Sequence, residues 1–523
     1  MVEESSKRMS FGEDGILDAH GNPLPVLSKS ASMMKIDRLM KTPLPTFHGN
    51  TPGSPFWTQI VSMMLKATIG FQFRSYEVTG KDKIPTARGS LCCSWHTNGL
   101  IDPATIMTSH PKRFVVGGRH DLVTRPLIGF WARRIAVQPV VRQAELIRGG
   151  CSPEVAATLN GRSLLNLSTG ISHGFGCFLF PEGTSHNEAH LLRLKTGPMR
   201  TALSAAALAK GQGRETPVII PIGLHWRIRH HWRTDAWVEF GQPIELPAEE
   251  LGDEIFHQLS TGKWAEPPAE LVNRLRDELR IRLEYLTPNA EDWTTYNAWH
   301  LLGRLEGGKE GKLPITWRDE VRAARNVRER LAKKPEDERL SKAREVATIL
   351  EKNHLDARAI DAEGGIRKAK ISAAPATITR LVIALLFLPL FIPSCFIQAL
   401  VGKILGDKNI ENEGLDARTS YQFLASMFGS FFLWPPIALI ISSFLILYCE
   451  ITVLASLLDP LTSQVLKIIA LAIILIPLIL ISAISAVRGW DALEDLKRAR
   501  RRVRLRGSDD GDKVKKLCAE LLL

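Results

Sequence analysis

Three stretches of this chain, 381–402, 419–449 and 468–487, contain no charged residue. At 1.5 Å per residue, about 20 helical residues span the ~30 Å hydrocarbon core of a bilayer. Buried helices of that length in soluble domains nearly always carry some charge, so the C-terminal third reads as an α-helical membrane region. Arg367, Lys368, Lys370 and Arg380 precede it, and Arg488, Lys497, Arg498, Arg500, Arg501, Arg502, Arg504 and Arg506 follow it. Basic flanks favour the cytoplasmic side, and two such flanks require an even number of crossings. The expected arrangement is a helical hairpin, 431–457 and 466–487, turning at Asp459-Pro460. Residues 381–402, broken by Pro389 and Pro393, are then re-entrant or interfacial, with three full crossings as the alternative. The basic tail is expected to hold anionic headgroups, at about 1 kcal/mol per residue close to the surface.

The remainder of the 523 residues is polar and ordinary: 45% hydrophobic and 23% charged overall excludes wholesale disorder and collagen-like repeats. A net charge of +12 favours anionic partners. The seven cysteines form no C-x-x-C pair and read as reduced thiols, not zinc ligands. Residues 1–50 lack periodicity and the features of a signal peptide, and are expected to be disordered. Residues 56–73 suit an interfacial or core helix.

From about 75 to 247, short apolar runs (90–95, 113–116, 177–180, 218–222) alternate with stretches of helical spacing. That alternation predicts an α/β domain with a mostly parallel sheet flanked by helices. Leu271, Leu275, Leu279 and Leu283 mark an amphipathic helix over 269–286, and charged helices follow at 316–332 and 335–351. Their charges are simplest as solvated faces, so no nucleic-acid partner is expected.

Two polar motifs follow predicted strands, where open α/β sheets place their sites. The first is Ser94-Trp95-His96-Thr97-Asn98-Gly99-Leu100-Ile101-Asp102-Pro103. A neutral imidazole can accept a proton at physiological pH, and a carboxylate on its other nitrogen fixes the tautomer. Six positions apart on a regular helix the two side chains would diverge by about 120°. They meet only if the chain turns, and Asn98-Gly99 is good turn chemistry. Read as structure alone, Asp102-Pro103 is a helix start and His96 a core histidine. The second motif is Phe178-Leu179-Phe180-Pro181-Glu182-Gly183-Thr184-Ser185-His186-Asn187, followed by Leu191-Leu192-Arg193-Leu194-Lys195-Thr196-Gly197. Permissive glycines, hydroxyl donors and nearby cations suit a phosphate, with Thr184 and Lys195 as candidate partners. The bland alternative is a plain strand-to-helix turn. His186, His225, His230 and His231 lack metal-ligand context and read as surface or structural residues; no metal is expected.

With Gln138-Pro139-Val140-Val141-Arg142 between these motifs and Val218-Ile219-Ile220-Pro221-Ile222-Gly223 beyond them, the four-block order resembles the glycerolipid acyltransferase superfamily. The His-x5-Asp spacing departs from that superfamily's usual His-x4-Asp. It is similar to the fungal type of glycerol-3-phosphate/dihydroxyacetone-phosphate acyltransferase, as are the Pro-Glu-Gly-Thr-Ser-His-Asn unit and the oily C-terminal region. The resemblance implies that His96 is the general base and Asp102 its orienting partner. It implies that Arg142, Glu182 and Gly183 bind the acceptor and that Pro221 shapes the site near the thioester. It implies no cofactor: the donor is an acyl-CoA or acyl-carrier-protein thioester, and the acceptor glycerol 3-phosphate or dihydroxyacetone phosphate. Lysophosphatidate as acceptor is the nearest alternative; an inactive membrane tether or lipid-binding protein is the alternative of another class. The layout expected is a disordered 1–50, an acyltransferase domain over 51–310, a charged helical segment over 311–375, a membrane region over 376–490 and a basic tail over 491–523. The active domain and tail are placed on the cytoplasmic side, at an ER-type or a bacterial plasma membrane.

Overall fold

The computed structural model describes residues 33–47, 49, 51–334, 337–368, 374–413, 415, 418–449 and 463–523. They form two compact units: the described residues up to Asp292 with Asp407–Ser420, and Trp293–Gly406 with Tyr421–Leu523.

The first unit is built on a sheet. Its strands are β1 (Phe73–Thr79), β2 (Ser90–Ser94), β5 (Gly176–Leu179), β6 (Val218–Trp226), β7 (Thr234–Phe240) and β8 (Ile244–Glu245), while β3 (Gly117–Arg119) and β4 (Gln138–Val140) pair separately. The order is β1-β7-β6-β2-β5, with β8 added to β6. β2 lies between parallel neighbours β5 and β6, and β1 is parallel to β7; only β6 pairs antiparallel, with β7 and β8. All residues of β2 and β6 are buried, because both faces of the sheet are covered. Helices α1 (Pro55–Gln72), α2 (Ile101–Ser109), α3 (Pro126–Arg134), α4 (Pro153–Ser172), α5 (Gly197–Gly211) and α6 (Ala269–Leu286) flank it. Leu91 and Cys93 of β2 share a core with Leu167 and Ile171 of α4 and Met199 and Leu203 of α5. The expected leucine stripe of α6, Leu271, Leu275, Leu279 and Leu283, joins that core. α1 is a one-sided helix that buries Leu65 and Ile69 and sets Trp57 against Phe130 and Trp131 of α3.

Several boundaries differ from expectation. Residues 113–116 contribute a single bridge, Phe114 to Gly176, and the strand begins after them at Gly117. β1 and β7 mix apolar and charged residues and escape a search for apolar runs. Residues 33–47 are not disordered: Leu39 is fully buried, and Arg162 donates hydrogen bonds to the Met40 carbonyl at 2.5 Å and the Thr42 carbonyl at 2.7 Å. The rest of the expected disordered segment, 1–32 with 48 and 50, lies outside the described residues.

The second unit starts with α7 (Trp293–Lys309), ahead of the boundary expected at 310, because α7 packs with the charged helices α8 (Trp317–Ala332) and α9 (Arg339–Lys352). Thr316 caps α8, accepting the Asp319 N–H at 3.2 Å. After α10 (Ala374–Leu386) come three helices long and apolar enough to cross a membrane: Leu388–Lys408, Arg418–Tyr448 (α11) and Gln464–Arg506 (α12). The expected turn at Asp459-Pro460 lies outside the described residues. The basic tail is not a free strand of cations. It continues α12 and then folds as α13 (Asp509–Leu522), which buries Val514, Cys518 and Leu521 at helical spacing and pairs Lys513 with Glu345 and Glu520 with Lys342.

Candidate active site

β2 delivers its C-terminal end, Trp95 and His96, to the edge of the sheet, and neighbouring β5 delivers Phe180 to Glu182 beside it. Trp95 locks the strand end by donating Nε1–H to the Leu224 carbonyl of β6 at 3.0 Å. The chain then turns at Gly99, whose φ of 38° lies in the left-handed region. The Asn98 carbonyl receives the N–H groups of Ile101 at 2.9 Å and Asp102 at 3.4 Å, starting α2. This turn closes the linear gap between imidazole and carboxylate: His96 Nδ1 lies 2.8 Å from Asp102 Oδ2.

Asp102 is wholly buried and accepts four hydrogen bonds. Oδ2 receives the His96 ring, the Thr97 N–H at 2.9 Å and the Asn98 N–H at 2.8 Å, and Oδ1 receives Trp226 Nε1–H at 3.1 Å. A carboxylate can only accept, so Nδ1 of His96 is the donor in this contact. The imidazole is partly exposed, at 17% of its side chain, and stacks on Phe180 with centroids 3.9 Å apart. The ring is thus held by a buried carboxylate at its edge and an aromatic ring on its face.

Glu182 supports the same loop from below. Its buried carboxylate receives the His96 backbone N–H at 2.9 Å on Oε2, and His186 Nε2–H at 2.9 Å and the Leu192 N–H at 2.8 Å on Oε1. The His186 N–H in turn reaches the His96 carbonyl at 3.0 Å. Gly183, with φ 74°, permits the aliphatic part of Lys195 to lie over it: a Cβ there would meet Lys195 Cδ at 3.0 Å. Lys195 is exposed, and its backbone N–H donates to the Pro181 carbonyl at 2.6 Å. The Thr184 hydroxyl donates to the Ser185 carbonyl at 3.2 Å. His96, Asp102, Glu182, Gly183 and Lys195 thus form one neighbourhood.

Two expected site residues stand apart from it in their contacts. Arg142 follows β4, and its guanidinium is taken up by Glu145, with Nε 2.7 Å from Oε1. Pro221 is buried in mid-sheet opposite Cys93. It lies three residues short of the His96 level, about 10 Å along the strand.

Other contacts at the site had no sequence signal. Asn98 donates to the Arg229 carbonyl at 3.0 Å and accepts a short hydrogen bond from the Thr419 hydroxyl. The Leu100 N–H donates to the Ser420 hydroxyl at 2.8 Å. Thr419 and Ser420 lie in the first turn of α11, so the loop that carries His96 is tied to that turn. Nearby His230 is pushed down to about 3, chiefly by burial and then by the positive neighbours His231, Arg229 and Arg418.

Comparison with known proteins finds partial relatives. The family described as Acyltransferase matches residues 75–225. Glycerol-3-phosphate O-acyltransferase 2 of Saccharomyces cerevisiae is 27% identical over 172 residues, covering 33% of this chain and 21% of that protein. Glycerol-3-phosphate O-acyltransferase 1 of the same yeast is 30% identical over 135 residues, covering 26% of this chain and 16% of that protein. The match thus spans about a fifth of these relatives. Among solved structures, the 1-acyl-sn-glycerophosphate acyltransferase PlsC of Thermotoga maritima aligns with 43% of this chain and 80% of its own, at 15% identity and a TM-score of 0.27.

Proposed function

We propose that the chain is a membrane-bound O-acyltransferase, a reading supported by the Acyltransferase family match over residues 75–225 and by the similarity to the yeast glycerol-3-phosphate O-acyltransferases. It moves a fatty acyl group from a CoA or carrier-protein thioester to glycerol 3-phosphate or dihydroxyacetone phosphate. The observation that carries this reading is the His96–Asp102 pair, held at 2.8 Å with the imidazole partly exposed, at the C-terminal edge of parallel strands.

In this reading Nε2 of His96 takes the proton of an acceptor hydroxyl as its oxygen attacks the thioester carbonyl. Asp102 holds the ring and offsets the imidazolium charge. The tetrahedral intermediate then collapses, the C–S bond breaks, and the thiolate leaves with the proton returned by the imidazolium. A positioned base contributes roughly 10²–10⁴ in rate. Lys195, above Gly183 and beside the start of α5, meets the acceptor phosphate in this reading; Lys acts as a point charge and helix N-termini favour anions. The membrane follows from the chemistry: the acyl chain enters from a bilayer and the lipid product leaves into it. The basic residues at both flanks of the apolar region support a catalytic side in the cytoplasm.

The test offers radiolabelled glycerol 3-phosphate, dihydroxyacetone phosphate and lysophosphatidate in parallel, each with acyl-CoA and acyl-carrier protein. Turnover of either soluble phosphate is expected; turnover of lysophosphatidate alone would end the reading. His96→Ala should abolish transfer while leaving the protein folded and membrane-bound, and near wild-type rates would remove the base assignment.

A further inference from the structure

The second unit holds a concentration of arginines that its fold does not use up. A turn closed by the Ile360–Ile366 bridge lies among them. Arg304, nearly fully buried, donates Nε–H to the Ile360 carbonyl at 2.6 Å. Arg506 of α12 donates to the Ile366 carbonyl at 2.9 Å, and Arg358 to Glu320 at 2.6 Å. Arg367 and Arg358 repel Arg304, and Arg367 and Arg506 repel Arg502. Arg304 is pushed below the usual guanidinium range, first by burial and then by these like charges against the opposing pull of Glu320. The carboxylates that act on Arg304 and Arg502 are Glu320, Asp356 and Asp495, and Glu320 already pairs with Arg358. Nε of Arg367 and Nε of Arg502 are both buried with no hydrogen-bond partner among the described residues.

Buried guanidinium N–H groups without acceptors are costly, and the mutual repulsion of neighbouring arginines adds to that cost. From these facts we infer that Arg367 and Arg502 form the binding site of a soluble, phosphate-bearing molecule. A phosphate monoester carries about −1.5 to −2 charges and three acceptor oxygens, so it can offset the repulsion and accept from both unpartnered Nε–H groups. Length decides between a soluble phosphate and a lipid headgroup. Arg502 lies 15 residues beyond Val487, where the charge-free stretch of α12 ends. That is about 22 Å of helix, against a headgroup layer of about 5–8 Å. The site lies outside the catalytic loop, so it stands whether or not the proposed reaction is right.

The experiment uses the full chain in phosphatidylcholine nanodiscs, with radiolabelled inorganic phosphate in equilibrium dialysis at constant ionic strength. The wild type should bind one more saturable phosphate than the Arg367→Gln/Arg502→Gln double variant, or bind it at least tenfold more tightly. Without phosphate the double variant should unfold at the same temperature as the wild type or a higher one, because the repulsion is relieved. Equal phosphate binding by the two proteins overturns the proposal. So does a lower unfolding temperature of the variant in phosphate-free buffer, which would mark the arginines as structural. A third arm adds phosphatidate to the nanodiscs: arginine-dependent binding seen only there, and not with inorganic phosphate, would overturn the soluble source.

Discussion

Glu182 shows how much of a site can be spent on holding one side chain. Its carboxylate accepts three N–H donors from His96, His186 and Leu192. Its role can be read from kinetics. Glu182→Gln must turn an NH2 toward one of three donors, leaving a buried group unsatisfied at a cost of about 1–3 kcal/mol. If Glu182 acts through the His96 loop, kcat should fall at least tenfold while KM for the acceptor changes little. A rise confined to KM would return Glu182 to direct substrate binding. A second expectation concerns pH. His230 is held down at about 3 and His110 at about 4, His110 chiefly by burial and then by Lys112. Both lie below the ~6.5 of the unfolded chain, so between those values the unfolded state binds protons that the folded state refuses. Stability should therefore decline as pH falls from 6.5 toward 4, and His230→Gln should flatten part of that slope in thermal unfolding. Of these residues, the sequence made the His96–Asp102 contact legible because Asn98-Gly99 advertises its turn. Trp226 donates to Asp102 from 124 positions away, and no local pattern can announce that.

At the scale of elements, the amphipathic helix α6 runs over the very residues its leucine spacing predicts, Ala269–Leu286, because one apolar stripe on a polar helix has a single way to bury itself. The short strands were less legible. β1 and β7 draw their stability from pairing with each other and with β6, and this long-range term leaves no apolar run to read. The connection between α11 and the His96 loop is also long-range, and it carries a prediction. Thr419→Val removes the hydroxyl that meets Asn98, and Ser420→Ala removes the acceptor of the Leu100 N–H. The combined variant should lower kcat several-fold with little change in acceptor KM, and Thr419→Ser should restore most of the loss. A double variant with wild-type kcat would show that the loop needs no support from α11.

For the whole molecule, the open question is how the apolar region meets the bilayer. By length alone Leu388–Lys408 can cross, but its neighbours describe a descent and a return. A Cβ on Gly489, just past the charge-free part of α12, would touch Ala384 at 2.5 Å, so the C-terminal end of α10 lies level with the polar end of α12. Deeper, the Cys395 thiol meets the side chains of Ser482 and Trp434. Beyond it, Gln398 accepts Trp434 Nε1–H at 3.1 Å and donates to the Ser426 carbonyl at 2.9 Å. Gly402 then lies against Ala425, and Asp407 pairs with Arg418 at 2.7 Å. These partners step back along α11 toward its first residue, so the segment from Ala384 to Asp407 leaves the polar end of one helix and comes back to the polar start of another. Pro389 and Pro393, with the π-helical turn Ile392–Phe396, supply the break such a reversal needs. We therefore propose a re-entrant segment followed by two crossings, α11 and α12, which also keeps the basic flanks on one side. Single cysteines at Ala374 and Lys408, introduced into a chain stripped of its native thiols, should react with an impermeant maleimide from the same face of sealed vesicles. Labelling from opposite faces would instead mean that Leu388–Lys408 crosses, and with three crossings the two basic flanks could no longer share a compartment.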